Sequence, residues 1–141
     1  MEYQASGTFD VKLSPQPATG EWGLGRLTID KRFHGDLTAT SAGEMLSAMS
    51  GVEGSAAYVA LERVSGTLYG RRGGFTLQHT GIMERGEGRL TVAVVPDSGS
   101  DELAGIAGTM AIIITGDAHR YELTYTLPDD QPAAGAMARA S

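Results

Sequence analysis

Apolar and polar residues alternate with a period of two along most of this chain. The clearest case is the stretch from Tyr58 to Met83, where two alternating runs flank a turn rich in glycine and arginine. This pattern is typical of two half-buried strands joined in a β-hairpin, with Arg71–Arg72 at the predicted turn. One face of the predicted hairpin then carries Tyr58, Ala60, Glu62, Val64, Gly66, Leu68, Phe75, Leu77, His79 and Met83.

The alternation continues on both sides of this hairpin. It predicts further strands over residues 3–13, 27–33, 37–46, 90–94, 103–115 and 118–127. A turn at Gly86–Glu87 and another at Gly116–Asp117 would join neighbouring strands. Residues 41–50 have an alternative reading as a helical turn, because Met45 and Met49 also fit helical spacing.

Composition supports the same fold class. The chain has 20 glycines in 141 residues, about twice the usual share of ~7%. Glycine marks turns, bulges and corners, so its abundance among short alternating runs favours an all-β barrel. Eight antiparallel strands are the number at which a closed barrel just holds one small ligand. We therefore predict a single eight-stranded barrel domain over residues 1–128, followed by a loose tail over 129–141.

Charge and residue usage narrow the function classes. The net charge of −6 repels phosphate backbones, so we expect no nucleic-acid partner. The absence of cysteine excludes disulfides, thiol catalysis and thiolate metal sites. The first residues show no secretory signal, and no apolar run approaches the ~20 residues of a membrane span. We expect a cytoplasmic protein with no membrane partner and no cofactor.

Several segments resemble those of a bacterial family of small uncharacterised proteins. They are ASGTFDVKL, GRLTIDKRFHGDL, GEML, GTLYGRRGGFTLQHTG, VVPDSGS, ELAGIAGTM and HRYELTYTLP, spread from about residue 5 to residue 128. The resemblance implies a barrel similar to that of allene oxide cyclases and dirigent proteins, with a central cavity and often an oligomeric assembly. It implies no activity, and no segment matches the active-site sequence of the cyclases.

Glu62 and His79 are the strongest candidates for catalytic residues. In the predicted hairpin they are diagonal neighbours on the same face, within reach of one another. Burial would raise the pKa of Glu62, and such a pair suits proton transfer near neutral pH. The alternative interpretation is a structural ion pair. A Glu62→Gln variant that loses activity or ligand affinity while the barrel stays folded would support the catalytic interpretation.

Other residues on the predicted interior face are candidates for ligand contact: Tyr58, Leu68, Phe75, Leu77, Tyr121 and Tyr125. The tyrosines could orient a carbonyl group, or simply pack in the core. Lys31 is in phase with an apolar face, which we interpret as an edge or rim position. The chain has three histidines, His34, His79 and His119. None is spaced like a ligand pair, so no metal is expected.

Three functional hypotheses remain open. The first is a protein that binds a small apolar or aromatic molecule in the barrel cavity. The second is an isomerase or cyclase that uses Glu62 and His79 for proton transfer. The third is a non-catalytic assembly module with a filled interior. A homo-oligomer is expected from the resemblance.

Overall fold

The computed structural model describes residues 1–17 and 24–128. Within these residues there are nine strands and no helix. The strands are β1 (Glu2–Gln16), β2 (Gly25–Gly35), β3 (Leu37–Met49), β4 (Ala56–Leu68), β5 (Arg71–Glu84), β6 (Glu87–Val94), β7 (Ser100–Asp101), β8 (Ala107–Thr115) and β9 (Ala118–Thr126). The predicted tail over 129–141 lies outside the described residues.

Eight of the strands form a closed antiparallel barrel. The order around it is β4-β3-β2-β1-β9-β8-β6-β5, and β4 also pairs with β5, which closes the ring. The two-residue strand β7 is an addition that pairs with Gly73–Gly74 of β5. The predicted fold class, an all-β eight-stranded antiparallel barrel, is therefore confirmed.

The turn between β4 and β5 was predicted two residues too late. It lies at Tyr69–Gly70 rather than Arg71–Arg72, and both turn residues have positive φ, 48° and 79°. A two-residue hairpin turn of this kind needs left-handed backbone at both central positions, and glycine adopts that backbone without steric cost. Because the shift is an even number of residues, every side chain remains on its predicted face.

The other predicted turns and strands have mixed outcomes. The turn between β5 and β6 lies at Arg85–Gly86 instead of Gly86–Glu87, again with positive φ at both residues. The pairing predicted across Gly116–Asp117 is confirmed. The helical alternative for residues 41–50 is wrong, because β3 extends to Met49. The strand predicted from residue 103 begins only at residue 107, after a turn.

The interior of the barrel is tightly packed at one end. Large side chains from most strands meet there, and the connection between β6 and β8 adds Leu103 and Ile106. The fully buried side chains include Phe33, Leu37, Leu68, Phe75, Leu77, Tyr121 and Leu123. The hydroxyl group of Tyr121 accepts a hydrogen bond from the backbone N–H of Leu37 at 2.9 Å, which ties β9 to the start of β3.

Candidate functional site

The opposite end of the barrel is an open cavity. Its volume is about 580 Å³, within the range of pockets that hold drug-sized molecules. Most of its lining is apolar and comes from the ends of β1, β3, β4, β5, β6 and β8. The lining includes Phe9, Val11, Leu13, Met45, Met49, Ala56, Tyr58, Gly81, Met83, Leu90, Ile112 and Ile114, together with the polar Lys31, Ser47, His79, Arg89 and His119.

A cluster of four polar side chains lies where this cavity meets the packed core. Each member comes from a different strand, β2 to β5. Glu62 is at the centre: its Oε1 accepts hydrogen bonds from Lys31 Nζ at 2.9 Å and from His79 Nε2 at 2.5 Å. Its Oε2 accepts a hydrogen bond from Ser41 Oγ at 2.5 Å. We call these residues, Lys31, Ser41, Glu62 and His79, the floor cluster.

The local sequence makes room for this cluster. Gly43 pairs directly with Glu62 across β3 and β4. A Cβ atom on Gly43 would lie 2.1 Å from the carbonyl oxygen of Leu61 and 2.8 Å from the Cβ of Glu62. Such an approach is too close for any other residue, so a glycine at this position allows β3 to pass beside the buried carboxylate.

The other three members of the floor cluster keep Glu62 in its charged form. Burial acts to raise the pKa of this carboxyl group, but the raised pKa expected from sequence is wrong, because its polar partners outweigh burial. The hydrogen bond from His79, the positive charge of Lys31 and the hydrogen bond from Ser41 act in the other direction and together lower the pKa to about 2. Glu62 is therefore a carboxylate at neutral pH, and it is a weak base.

Lys31 does not lie at a rim or an edge, contrary to the interpretation from sequence. Its side chain is only 7% exposed, and its ammonium group is paired with the carboxylate of Glu62. Nζ also lies 5.0 Å from the ring centre of Phe9 and 5.7 Å from that of Phe33. A carboxylate and two aromatic rings compensate the ammonium group for the loss of water.

The predicted catalytic residues, Glu62 and His79, are in direct contact, which agrees with the predicted face and diagonal pairing. The two side chains differ in whether a ligand in the cavity can reach them. His79 lines the cavity, whereas the carboxylate of Glu62 is fully buried behind it and is not part of the lining. A ligand in the cavity would contact His79 directly. It would interact with Glu62 only indirectly, through the side chains that bind this carboxylate.

The predicted ligand-binding residues separate into two groups. Tyr58 lines the cavity, and burial raises the pKa of its phenol. The other five, Leu68, Phe75, Leu77, Tyr121 and Tyr125, are on the interior face as predicted, but they lie in the packed core and do not line the cavity. The alternation identifies the interior face correctly, but it does not show which end of the barrel is open.

The three histidines do not converge. His34 is on the outside, where its Nε2 lies 2.9 Å from Asp10. His119 lines the cavity, with its ring centre 5.3 Å from that of Phe9. In the part of the chain that the structure describes, no three histidine, aspartate or glutamate side chains are grouped as metal ligands would be.

Several residues of this site were not predicted from the sequence. Phe9 and Val11 lie in the strand predicted over residues 3–13 but were not linked to a ligand. Met45 was considered for a helix. The phase of Lys31 with its apolar neighbours was the available signal, because a lysine at such a position needs a carboxylate partner once it is buried.

These features define a closed β-barrel with a cavity at one end and a buried Lys–Glu–His cluster at its floor. A family model described as "Protein of unknown function (DUF3224)" matches residues 5–125, and the chain belongs to this family. It is also similar to a crystal structure of a DUF3224 family protein of unknown function from Shewanella oneidensis MR-1. That protein is 52% identical, the match covers 91% of this chain and 98% of the other, and the TM-score is 0.85.

The comparison with curated proteins finds no match. Within the described ranges there is also no helix with the length and apolar character needed to cross a membrane.

Proposed function

We propose that this protein binds a small, mainly apolar or aromatic molecule in the open cavity of the barrel. The observation that carries the proposal is the cavity itself, whose volume is about 580 Å³ and whose lining is largely apolar. Binding sites for small molecules have this form, with a few fixed polar groups that orient the ligand. The floor cluster supplies such groups in Lys31 and His79.

The rim of the cavity supports the same proposal. Six large apolar side chains at or beside the rim are more than two fifths exposed: Leu13, Met49, Ile82, Met83, Leu90 and Ile114. A ligand that covers part of this rim would remove apolar surface from water, which favours binding. The flexible side chains of Met49 and Met83 can adjust to the shape of such a ligand.

A cavity-filling substitution tests the proposal. Ser47 lines the cavity on β3, and Ser47→Trp should fill part of it. Thr40→Trp is the matched control, because Thr40 is exposed on the outside of the same strand. Thermal-shift screening of small apolar and aromatic molecules should give hits with the wild type and Thr40→Trp, and these hits should be lost with Ser47→Trp. Hits that persist in Ser47→Trp would contradict binding in the cavity.

The isomerase or cyclase hypothesis is a second candidate, and the geometry gives it a specific form. His79 lines the cavity while its Nε2–H is held by Glu62, which is how a carboxylate orients a histidine base. In this form His79 is the proton acceptor and Glu62 is a positioning residue. A rate on activated C–H acids that is abolished by His79→Phe would support it, whereas the same rate in that variant would oppose it.

The proposal includes a homo-oligomer. The outer face of β3 and β4 carries three exposed apolar side chains, Leu46, Val59 and Leu61, which are 43%, 50% and 55% exposed. They line part of a depression on this face. A second copy of the chain that covers these side chains would bury apolar surface on both protomers.

A further inference from the structure

The floor of the cavity offers a ligand two different polar groups side by side. Lys31 Nζ and His79 Nε2 both bind Oε1 of Glu62, so the two side chains are neighbours. Both line the cavity, whereas Glu62 and Ser41 do not. A ligand that reaches the floor therefore meets Lys31 and His79 together.

Lys31 is a hydrogen-bond donor at this floor. An ammonium group has three N–H bonds and no acceptor. Among the described residues, Glu62 is the hydrogen-bond acceptor that Lys31 contacts, and the rings of Phe9 and Phe33 cover other directions. An oxygen atom of a ligand can therefore accept a hydrogen bond from Nζ.

His79 is an acceptor at the same place when its imidazole ring is neutral. Glu62 is a carboxylate and can only accept, so the hydrogen between it and His79 belongs to Nε2. In a neutral imidazole with hydrogen on Nε2, the opposite nitrogen Nδ1 has a free lone pair. The imidazole can therefore accept a hydrogen bond through Nδ1 from a ligand.

The charges at the floor favour an uncharged ligand. The positive charge of Lys31 and the negative charge of Glu62 cancel at a separation of 2.9 Å. A ligand carboxylate would bring a second negative charge close to Glu62 in a site with little water. A hydroxyl group brings no charge, and it is both an acceptor for Lys31 and a donor for His79.

We infer that the ligand is an uncharged, mainly apolar or aromatic molecule that carries a hydroxyl group and enters the cavity with that group toward Lys31 and His79. The inference rests on the proposed function and adds the chemical class of the ligand. The hydroxyl oxygen accepts a hydrogen bond from Lys31 Nζ, and the hydroxyl hydrogen is donated to Nδ1 of His79.

Three probes of similar shape test the inference: biphenyl-4-ol, biphenyl and biphenyl-4-carboxylate. Their dissociation constants with the wild-type protein are compared by titration at neutral pH. A hydrogen bond to a charged donor in such a site should make the phenol bind about tenfold more tightly than biphenyl. The carboxylate should bind more weakly than the phenol.

The outcomes separate this inference from the proposed function. If biphenyl binds as tightly as biphenyl-4-ol, the proposed function stands and the inferred hydroxyl group is wrong. If the carboxylate binds most tightly, the requirement for an uncharged ligand is wrong. If none of the three binds, both the proposed function and the inference are contradicted.

Two variants test whether the preference for the phenol arises at the floor of the cavity. His79→Phe removes the acceptor, and the double variant Lys31→Met with Glu62→Gln removes the donor without leaving either charge unpaired. Each should reduce the tenfold preference for the phenol to about twofold or less. Thr80→Val, on the exposed face of the same strand as His79, is the matched control and should keep the full preference. Full preference in either floor variant would overturn the inference.

Discussion

Lys31 Nζ lies 2.9 Å from Glu62 Oε1 inside the barrel, with side-chain exposures of 7% and 0%. The two residues come from β2 and β4, so the contact spans β3, the strand between them. A buried pair of this kind is costly to form and more costly to break, because a single substitution leaves one charge buried without its partner. The cluster at the cavity floor is therefore expected to affect both stability and binding.

The first prediction concerns the two single variants Lys31→Met and Glu62→Gln. Each should lower the free energy of unfolding by about 3 kcal/mol or more, because the remaining charge is uncompensated. The double variant should be less destabilised than the two single effects added together. Urea denaturation of the four proteins measures this coupling.

An exposed ion pair gives the control for that experiment. Arg26 and Glu44, on the neighbouring strands β2 and β3, are also 2.9 Å apart, but their side chains are 34% and 60% exposed. Glu44→Gln should cost less than about 1 kcal/mol. Equal losses in Glu44→Gln and Glu62→Gln would show that burial of the Lys31–Glu62 pair has no special effect.

The second prediction is a loss of stability in acid. The pKa of Glu62 is about 2 in the folded protein and 4.5 in its ordinary state. The unfolded chain therefore binds this proton more readily than the folded protein. The stabilisation is complete above about pH 4.5 and is lost as the pH falls toward 2, by an amount of about 3 kcal/mol.

The free energies of unfolding of the wild type and of Glu62→Gln, measured at a series of pH values, test this prediction. The wild type should lose more stability than Glu62→Gln as the pH falls through this window. Parallel losses in the two proteins would mean that Glu62 does not have a lowered pKa.

The third prediction concerns the hydroxyl group of Tyr121. It accepts a hydrogen bond from the N–H of Leu37 and donates to the carbonyl oxygen of His34, both at 2.9 Å. Tyr121→Phe leaves that N–H without its partner inside the barrel and should cost about 2 kcal/mol. Thermal or urea unfolding measures the loss.

Tyr125 provides the matched control, since it is buried on the same face of β9. Within the described residues its hydroxyl group makes no hydrogen bond. Tyr125→Phe should therefore change stability by less than about 0.5 kcal/mol. A loss as large as that of Tyr121→Phe would remove the special role of the Tyr121 hydroxyl.

The fourth prediction links a glycine to the shape of the cavity. A Cβ atom on Gly81 would lie 2.2 Å from Cε1 of Tyr58, which lines the cavity. Gly81→Ala must therefore displace the Tyr58 ring and should weaken binding of a cavity ligand severalfold. Tyr58→Leu added to Gly81→Ala should restore part of the affinity.

Gly51→Ala is the control, because a Cβ atom there would meet nothing within 4 Å. Its ligand affinity should equal that of the wild type. Unchanged affinity in Gly81→Ala would show that the ring of Tyr58 does not shape the binding space.

The fifth prediction concerns the proposed homo-oligomer. Leu61 is 55% exposed on the outer face that also carries Leu46 and Val59. Leu61→Asp should produce monomers, because a carboxylate cannot be buried at such an interface without a partner. Light scattering after gel filtration measures the mass, and Thr40→Asp on the same side of the barrel is the control. A wild type that is already monomeric would contradict the proposal.

The barrel could be predicted from sequence because the alternation that specifies its strands is local in the chain. Alternation assigns each side chain to one of two faces, and that assignment survives an even shift in register, as in the hairpin of β4 and β5. The position of the turn was harder to predict. Tyr69 adopts positive φ beside Gly70, and a tyrosine is uncommon in that conformation, so the turn was predicted at Arg71–Arg72 instead.

The site could be predicted only in part. Glu62 and His79 share a hairpin, so their contact follows from one local pairing. Lys31 and Ser41 reach the same carboxylate from two other strands, and this depends on the curvature and closure of the whole barrel. The location of the cavity likewise depends on which end the connection between β6 and β8 fills, and strand alternation carries no information about that.

The most direct test of cavity binding is methyl NMR of the protein titrated with biphenyl-4-ol. Binding in the cavity predicts that signals from Met45, Met83 and Leu90, which line it, shift with the ligand concentration. Signals from Leu68 in the packed core and Leu61 on the outer face should change little. Shifts confined to Leu61 and its neighbours, with the cavity signals unmoved, would contradict it.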